Sequence, residues 1–342
     1  MIQLDLFDSS VTTVTFDEFN KNCSSFEWFK KTTRLGIEHE DEINRYYGLE
    51  YDWENPPLYL ADPLNATITG KSIFHCIRIL FNDGDSVLMT YRTREFMHKR
   101  VQAFDIPISM NRDFSHSKQV IDRMLANKFT TFFFKEKYRR YFDKCYPKEQ
   151  YNDYYYDLEQ EQALHFENPR WIKKHGIRRL VDDDRYCIVD IHGKKEWSQM
   201  ALECRSTWFA SKHSGTKTDN ERKYFENSLS LDDSRIAELA IVYENRLILA
   251  VKTILVYDGY GVDIMFSHVA RDKKQVLSEN DGISNMVLSN IDECMRYSTG
   301  RFLLNRGIKR EYRLGFIPGN ETLHLHKERI TSGKIQYFST VK

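Results

Sequence analysis

The chain has 342 residues, with 50 Lys+Arg against 50 Asp+Glu, 41% hydrophobic and 14% aromatic. That length exceeds a usual single domain, and the apolar content excludes a disordered chain, so two units with substantial cores are expected. Balanced charge steers the chain to no partner, which leaves nucleic-acid contact to local clusters, and no apolar stretch approaches a membrane span. The six cysteines (Cys23, Cys76, Cys145, Cys187, Cys204, Cys294) include no C-x-x-C pair. They suit a reduced, cytoplasmic chain better than a disulfide framework or a zinc site. The start, MIQLDLFDSS, lacks the basic and apolar blocks of a signal peptide.

In chain order, Val11–Phe16 reads as a strand, followed by a helix ending near Lys31 and another over Asp41–Tyr47. Gly48–Gly70, with NPPLYLADPLN, reads as an insertion or lid. Strand-like runs follow at Ser72–Phe81, Ser86–Arg92 and Val101–Met110, then a helix at Ser115–Ala126 and a run at Lys128–Phe134. Tyr151, Tyr154, Tyr155, Tyr156 and Leu158, near the meeting of the halves, suggest a helix packed on one side.

The second half runs through the same order. A strand at Arg185–Ile191 leads to helices at Lys194–Ala210 and Thr218–Asn227. Three runs, Arg235–Tyr243, Arg246–Tyr257 and Tyr260–Ala270, come next, with turn signals at Glu244-Asn245 and Asp258-Gly259. A helix over Gly282–Tyr297, with Ile283, Met286, Val287, Ile291, Cys294 and Met295 on one stripe, precedes a short run at Arg301–Leu304. The expected fold class is therefore α/β (α+β): two tandem units, 1–150 and 151–342, each a mixed, mainly antiparallel sheet flanked by helices.

Three basic clusters carry the partner signal. Arg170, Lys173, Lys174, Arg178 and Arg179, with Trp171 and His175 among them, could grip phosphates; a solvated helix face neutralised by Asp182–Asp184 is the plain alternative. Lys135, Lys137, Arg139, Arg140 and Lys144 lie beside Tyr138, Tyr141 and Phe142, a pattern that suits base stacking or an amphipathic helix equally. Arg301, Arg306, Lys309, Arg310 and Arg313 surround Asn305-Arg306-Gly307. His324 and His326 share a face if extended, but no third ligand stands at readable spacing, so no metal is expected. The G-x-x-x-x-G-K-[ST], G-x-S-x-G and H-E-x-x-H motifs are absent.

Strand, two helices, three-strand meander, helix, strand is the order of the GNAT acyltransferase fold. Two such units resemble the FemABX aminoacyltransferases, the C-terminal domain of phosphatidylglycerol lysyltransferases and the CelD-like acyltransferases. The likeness is carried by RWIKKHGIRRLVDDDRYCIVDI (Arg170–Ile191), LAIVYENRLILAVKTILVYDGYGVDIMFSHV (Leu239–Val269), GRFLLNRGIKREYRLGF (Gly300–Phe316) and LHKERI (Leu325–Ile330). It covers the second half at moderate specificity and the first by topology.

The resemblance implies transfer of an acyl or aminoacyl group to an amine or hydroxyl, with an acyl-CoA or aminoacyl-tRNA donor. The GNAT pyrophosphate loop is missing, since the corresponding stretch reads RDKKQVLSENDGISNM. Gly282 alone could offer backbone N–H groups to an anion, with Asp281 opposing it. That loss favours a bulky or nucleic-acid-borne donor over acetyl-CoA. Asp263 and Ser267 share a strand face by even spacing, with His268 on the other. Asp263 or His268 is the candidate general base. Asn305, Arg306 and Lys309 follow the run expected to splay and open a donor cleft, and Lys327 falls where the similar enzymes place a lysine that could neutralise an oxyanion. Two other classes stay open. One is an amino-acid or acyl transferase modifying DNA or RNA bases, as a virus might use; the other is a non-catalytic tandem unit kept for binding. The candidate macromolecular partners are tRNA or DNA.

Overall fold

A computed structural model describes residues 11–47, 64, 67–68, 74–96, 99–112, 114–127, 129–142, 148–211, 223, 225–270, 273–313 and 330–340. The chain forms two compact units, Met1–Asn152 with Ile335–Lys342, and Asp153–Lys334.

The first unit begins with β1 (Thr13–Thr15), α1 (Phe16–Asn22), α2 (Phe26–Phe29), β2 (Thr33–Arg34) and α3 (Glu40–Tyr47). Thr15 and Ser25 start α1 and α2 by accepting the Glu18 and Trp28 N–H, which satisfies donors that helix ends leave open. β3 (Phe74–Leu80), β4 (Ser86–Phe96), β5 (Lys99–Phe104) and β6 (Ile108–Ser109) follow, then α4 (Phe114–Leu125) and β7 (Thr130–Lys135). The sheet order is β1-β3-β4-β5-β7, and the last strand of the chain, β14 (Gly333–Ser339), pairs antiparallel with β7. Val101–Met110 is thus two strands rather than one, interrupted where Asp105 accepts the Ile106 N–H ahead of Pro107. The core is dominated by Phe19, Phe29, Phe104, Phe132 and Phe134.

The second unit takes in the end of β8 (Lys148–Asp157), then α5 (Leu158–Glu161), α6 (Pro169–Lys174), α7 (Ile177–Asp182), β9 (Tyr186–Asp190) and α8 (Lys195–Ser211). β10 (Ile236–Tyr243), β11 (Leu247–Val256) and β12 (Tyr260–His268) form the expected meander. α9 (Lys273–Glu279), α10 (Asn285–Ser289), α11 (Ile291–Leu304) and β13 (Arg310–Arg313) complete it. The β10–β11 turn places Glu244 and Asn245 at φ 48° and 54°, the left-handed pair whose twist matches a two-residue hairpin. The sheet order is β9-β10-β11-β12-β13-β8, with β12 and β13 parallel. Each unit therefore carries a meander, a parallel fifth strand and an antiparallel sixth.

Several expectations fail locally. Arg301–Leu304 is the last turn of α11, not a strand; the fifth strand is Arg310–Arg313. A short apolar run has no readable period of its own, and here it continues the helix. The single helix over Gly282–Tyr297 is broken at Asn290, where φ is −121°, and Met286 leaves the apolar stripe at 47% exposure. The tyrosines at 151–156 lie on β8 rather than a helix, in keeping with their preference for a pleated surface. The basic run is two helices hinged at Gly176, whose φ is 71°. Of the helix expected over Thr218–Asn227 most lies outside the described residues, as does nearly all of the insertion 48–70.

β11 is buried along eight successive positions because helices cover both faces, with α8 on one side and α11 on the other. Leu303 of α11 sits over Gly261, where a Cβ would come within 3.1 Å of its methyl groups. Both faces of this strand are therefore interior. Any charge placed on it must be answered by another charge.

Candidate functional site

β12 carries the feature that re-aims the side chains. Its register against β11 shifts so that Asp263 pairs with Ile254 and Met265 with Thr253, skipping Ile264. Adjacent residues of β11 point to opposite faces, so Asp263 lies on the Lys252/Ile254 face and Ser267 on the other. The expectation that Asp263 and Ser267 share a face is overturned by this bulge.

On the α11 side, three strands bring their charges together. Lys252 Nζ lies 3.1 Å from Asp263 Oδ2 and also binds Glu311 Oε1. Lys252 and Glu311 side chains are each 1% exposed, whereas Asp263 keeps 14%. Beyond them, Arg296 of α11 binds Glu161 and lies 4.5 Å over the Tyr156 ring. Burial pushes the Glu161 carboxyl up, an effect that Arg296 offsets in part and that Glu311 and Glu293 reinforce. On the α8 side, Arg205 donates to Ser267 Oγ at 3.0 Å and Thr253 Oγ1 at 2.7 Å, and pairs with Glu238 at 3.4 Å. Burial lowers the Arg205 pKa and raises that of Glu238, so desolvation works against both partners. Ser267 is thereby committed to the interior.

His268 is placed less favourably as a base. Its ring packs 4.3 Å from Trp208, and its Nδ1 accepts the Ala270 N–H at 3.2 Å. A neutral imidazole accepting at Nδ1 carries its proton on Nε2, leaving no lone pair there for a substrate proton. Asp263, by contrast, keeps part of its carboxylate exposed.

β13 pairs with Tyr260–Asp263 of β12, and β12 runs on to His268. The Ile264–His268 stretch thus lies beyond the described pairing with β13, beside Asp263 and the bulge. At φ 93° Gly282 accommodates the Arg185 guanidinium and the Tyr243 hydroxyl, which fill the space a side chain would take. Asn305, Arg306 and Lys309 follow a helix, and Lys309 N–H donates to Gly259 O at the β11–β12 turn. They stand at the opposite end of β12 from His268. Arg306 stacks 3.6 Å over Phe302 and approaches Asp190 at 3.8 Å. Lys327 lies outside the described residues.

The basic run builds a distinct feature of this unit. A cavity of ≈ 500 Å³ is lined by Lys173, Gly176, Arg178, Arg179, Asp182, Asp183 and Met286. Asp182 is bound by Arg178 at 3.0 Å and Asp183 by both arms of Arg185, at 2.7 and 2.9 Å. The Arg185 hydrogen bonds hold the Asp183 carboxyl below the ordinary range. The two carboxylates are answered within the protein, and Lys173 and Arg179 supply the cavity's excess positive charge. Arg170 and Lys174 are exposed on α6. Lys137 lies in the first unit, 4.7 Å over Tyr138, within the 3₁₀ stretch Glu136–Phe142 that also contains Arg140.

Lys252, Glu311, Arg296 and Glu161 were not among the residues singled out from the sequence. One signal was available: Lys252 interrupts LILAVKTILV, and a charge inside an apolar strand is seldom buried without a partner. Among the described residues no cluster of His, Cys, Asp and Glu could hold a metal ion. No helix of the described residues is long and apolar enough to cross a membrane.

No known sequence family and no curated protein sequence matches the chain. Solved structures do. The likeness to L-PGS from Bacillus licheniformis has TM-score 0.54 at 10% identity, over 90% of this chain and 92% of that one. FemX gives TM-score 0.54 at 8% identity, over 89% and 95%. A conserved protein of unknown function from Bacteroides thetaiotaomicron gives 0.54 at 13%, over 90% and 97%. The chain shares the fold of these structures, in line with the GNAT-like fold that the resemblance implied.

Proposed function

We propose that the second unit transfers an acyl or aminoacyl group from an activated donor to an amine or hydroxyl. The observation that supports it is Asp263, a partly exposed carboxylate on the bulged strand, held from the interior by a buried lysine. In this reading the acceptor's nitrogen or oxygen attacks the donor carbonyl while Asp263 takes its proton. The new bond forms as the carbonyl π pair moves to oxygen, and collapse of the tetrahedral species expels the donor's thiolate or alkoxide, which takes the proton back. The skipped residue Ile264 would offer its backbone N–H to the oxyanion. Lys173 and Arg179 would take phosphates of the anionic partner, a CoA thioester or an aminoacyl-tRNA.

The test is consumption of ¹⁴C-labelled acetyl-CoA, a long-chain acyl-CoA and a mixed aminoacyl-tRNA pool. Ethanolamine, glycerol and a DNA oligonucleotide serve as acceptors. Transfer from one donor, reduced about 100-fold or more in Asp263→Asn and within about threefold in His268→Ala, is the expected result. Failure to consume any donor, with binding of tRNA or DNA retained, would replace this reading by a binding protein of the same fold.

A further inference from the structure

Lys252 interrupts a strand that is otherwise apolar apart from Thr253, and its side chain is 1% exposed. A buried ammonium persists only where carboxylates compensate it, and one would suffice. Lys252 has two, and they differ. Glu311 is wholly interior, while Asp263 keeps access to solvent. Glu311 is itself constrained, because it lies in the field of the Glu161–Arg296 pair and borders Gly261, which Leu303 covers. The arrangement runs from a fixed interior carboxylate, through an ammonium, to a partly exposed carboxylate.

We propose that Lys252, anchored by Glu311, is a positioning residue that holds Asp263 through Oδ2 and sets the plane in which its carboxylate meets the acceptor. The inference rests on Asp263 being the group that takes the acceptor's proton. Neither Lys252 nor Glu311 touches the reacting atoms. Their effect passes through Asp263, so it should fall on kcat and leave the donor's KM alone.

The experiment compares Lys252→Ala with native protein in the transfer reaction, with added n-propylamine as a stand-in for the missing side chain. The expected result is a kcat lowered about 100-fold, a donor KM within about threefold, and recovery of about tenfold or more with the amine but not with guanidine. Because the single variant removes the cation between two carboxylates and could fail to fold, the double variant K252M/E311Q serves as a second arm. It should fold and remain slow. A readout free of turnover is the ¹³C resonance of the Asp263 carboxyl in Asp-labelled protein, identified by its loss in D263N. It should move in K252M/E311Q. A kcat within threefold of native in that variant, or an unmoved resonance, overturns the proposal. If native protein consumes no donor, the transferase reading falls on its own, and the resonance alone decides whether Lys252 holds Asp263.

Discussion

Lys252 on β11 and Glu311 on β13 reach each other across the intervening strand, and Asp263 of that strand completes the contact at 3.1 Å. Lys252 and Glu311 are buried on the α11 side while Asp263 keeps 14% exposure, so removing one partner costs more than removing a pair. Lys252→Met should lower stability by about 3–5 kcal/mol, because the buried Glu311 then loses its lysine partner. K252M/E311Q should recover much of that loss. Urea unfolding of both variants at neutral pH measures the difference.

Glu161 makes stability depend on pH with a definite sign. Burial raises its folded-state pKa above the ordinary 4.5. A raised carboxyl contributes stability that is fully present below the unfolded value and is lost as pH rises through the folded one. E161Q should therefore flatten the decline in unfolding free energy just above pH 4.5. Urea midpoints collected at half-unit intervals through that window would show it.

Two glycines with positive φ separate backbone strain from crowding. Gly193, at φ 71°, has nothing within 4 Å of where a Cβ would stand, whereas Gly282, at φ 93°, faces Arg185 and Tyr243. Gly193→Ala should cost about 1–2 kcal/mol from the left-handed conformation alone. Gly282→Ala should cost more, since Arg185 and the Tyr243 hydroxyl must move as well. Thermal unfolding of the two variants side by side distinguishes them.

The cationic cavity predicts a salt signature. If Lys173 and Arg179 contact phosphates, K173E/R179E should weaken tRNA binding and reduce the slope of log K against log salt by about 1.4–1.8. Filter binding from low to moderate salt gives both quantities. An unchanged slope would make the run a solvated helix face.

Much of the fold was legible because its signals are local. The meander at Ile236–His268 was written in apolar runs separated by Glu244-Asn245 and Asp258-Gly259, turn residues that act within four positions. The order of elements, read twice, supplied the tandem architecture. Where the signal was short it misled. Arg301–Leu304 looked like a strand because four residues cannot display a period of 3.6, and the helix that owns them begins at Ile291. Tyr154 and Tyr156 looked helical, yet their burial at 0% and 1% reflects pairing with β13, far along the chain.

The candidate site was legible only in part, and the reason is sequence distance. Asp263 could be suspected as a carboxylate on an apolar strand, but its face could not be counted, because one skipped residue inverts every side chain beyond it. Glu311 comes to Lys252 from 59 positions away, through a strand, three helices and a parallel pairing that no window of residues contains. The chain by itself determined which segments alternate, where they turn and that the pattern repeats, since these follow from nearest-neighbour backbone and solvent preferences. Only the tertiary structure decided which charges share the dry face beneath α11, because that depends on register and burial, which many distant residues settle together.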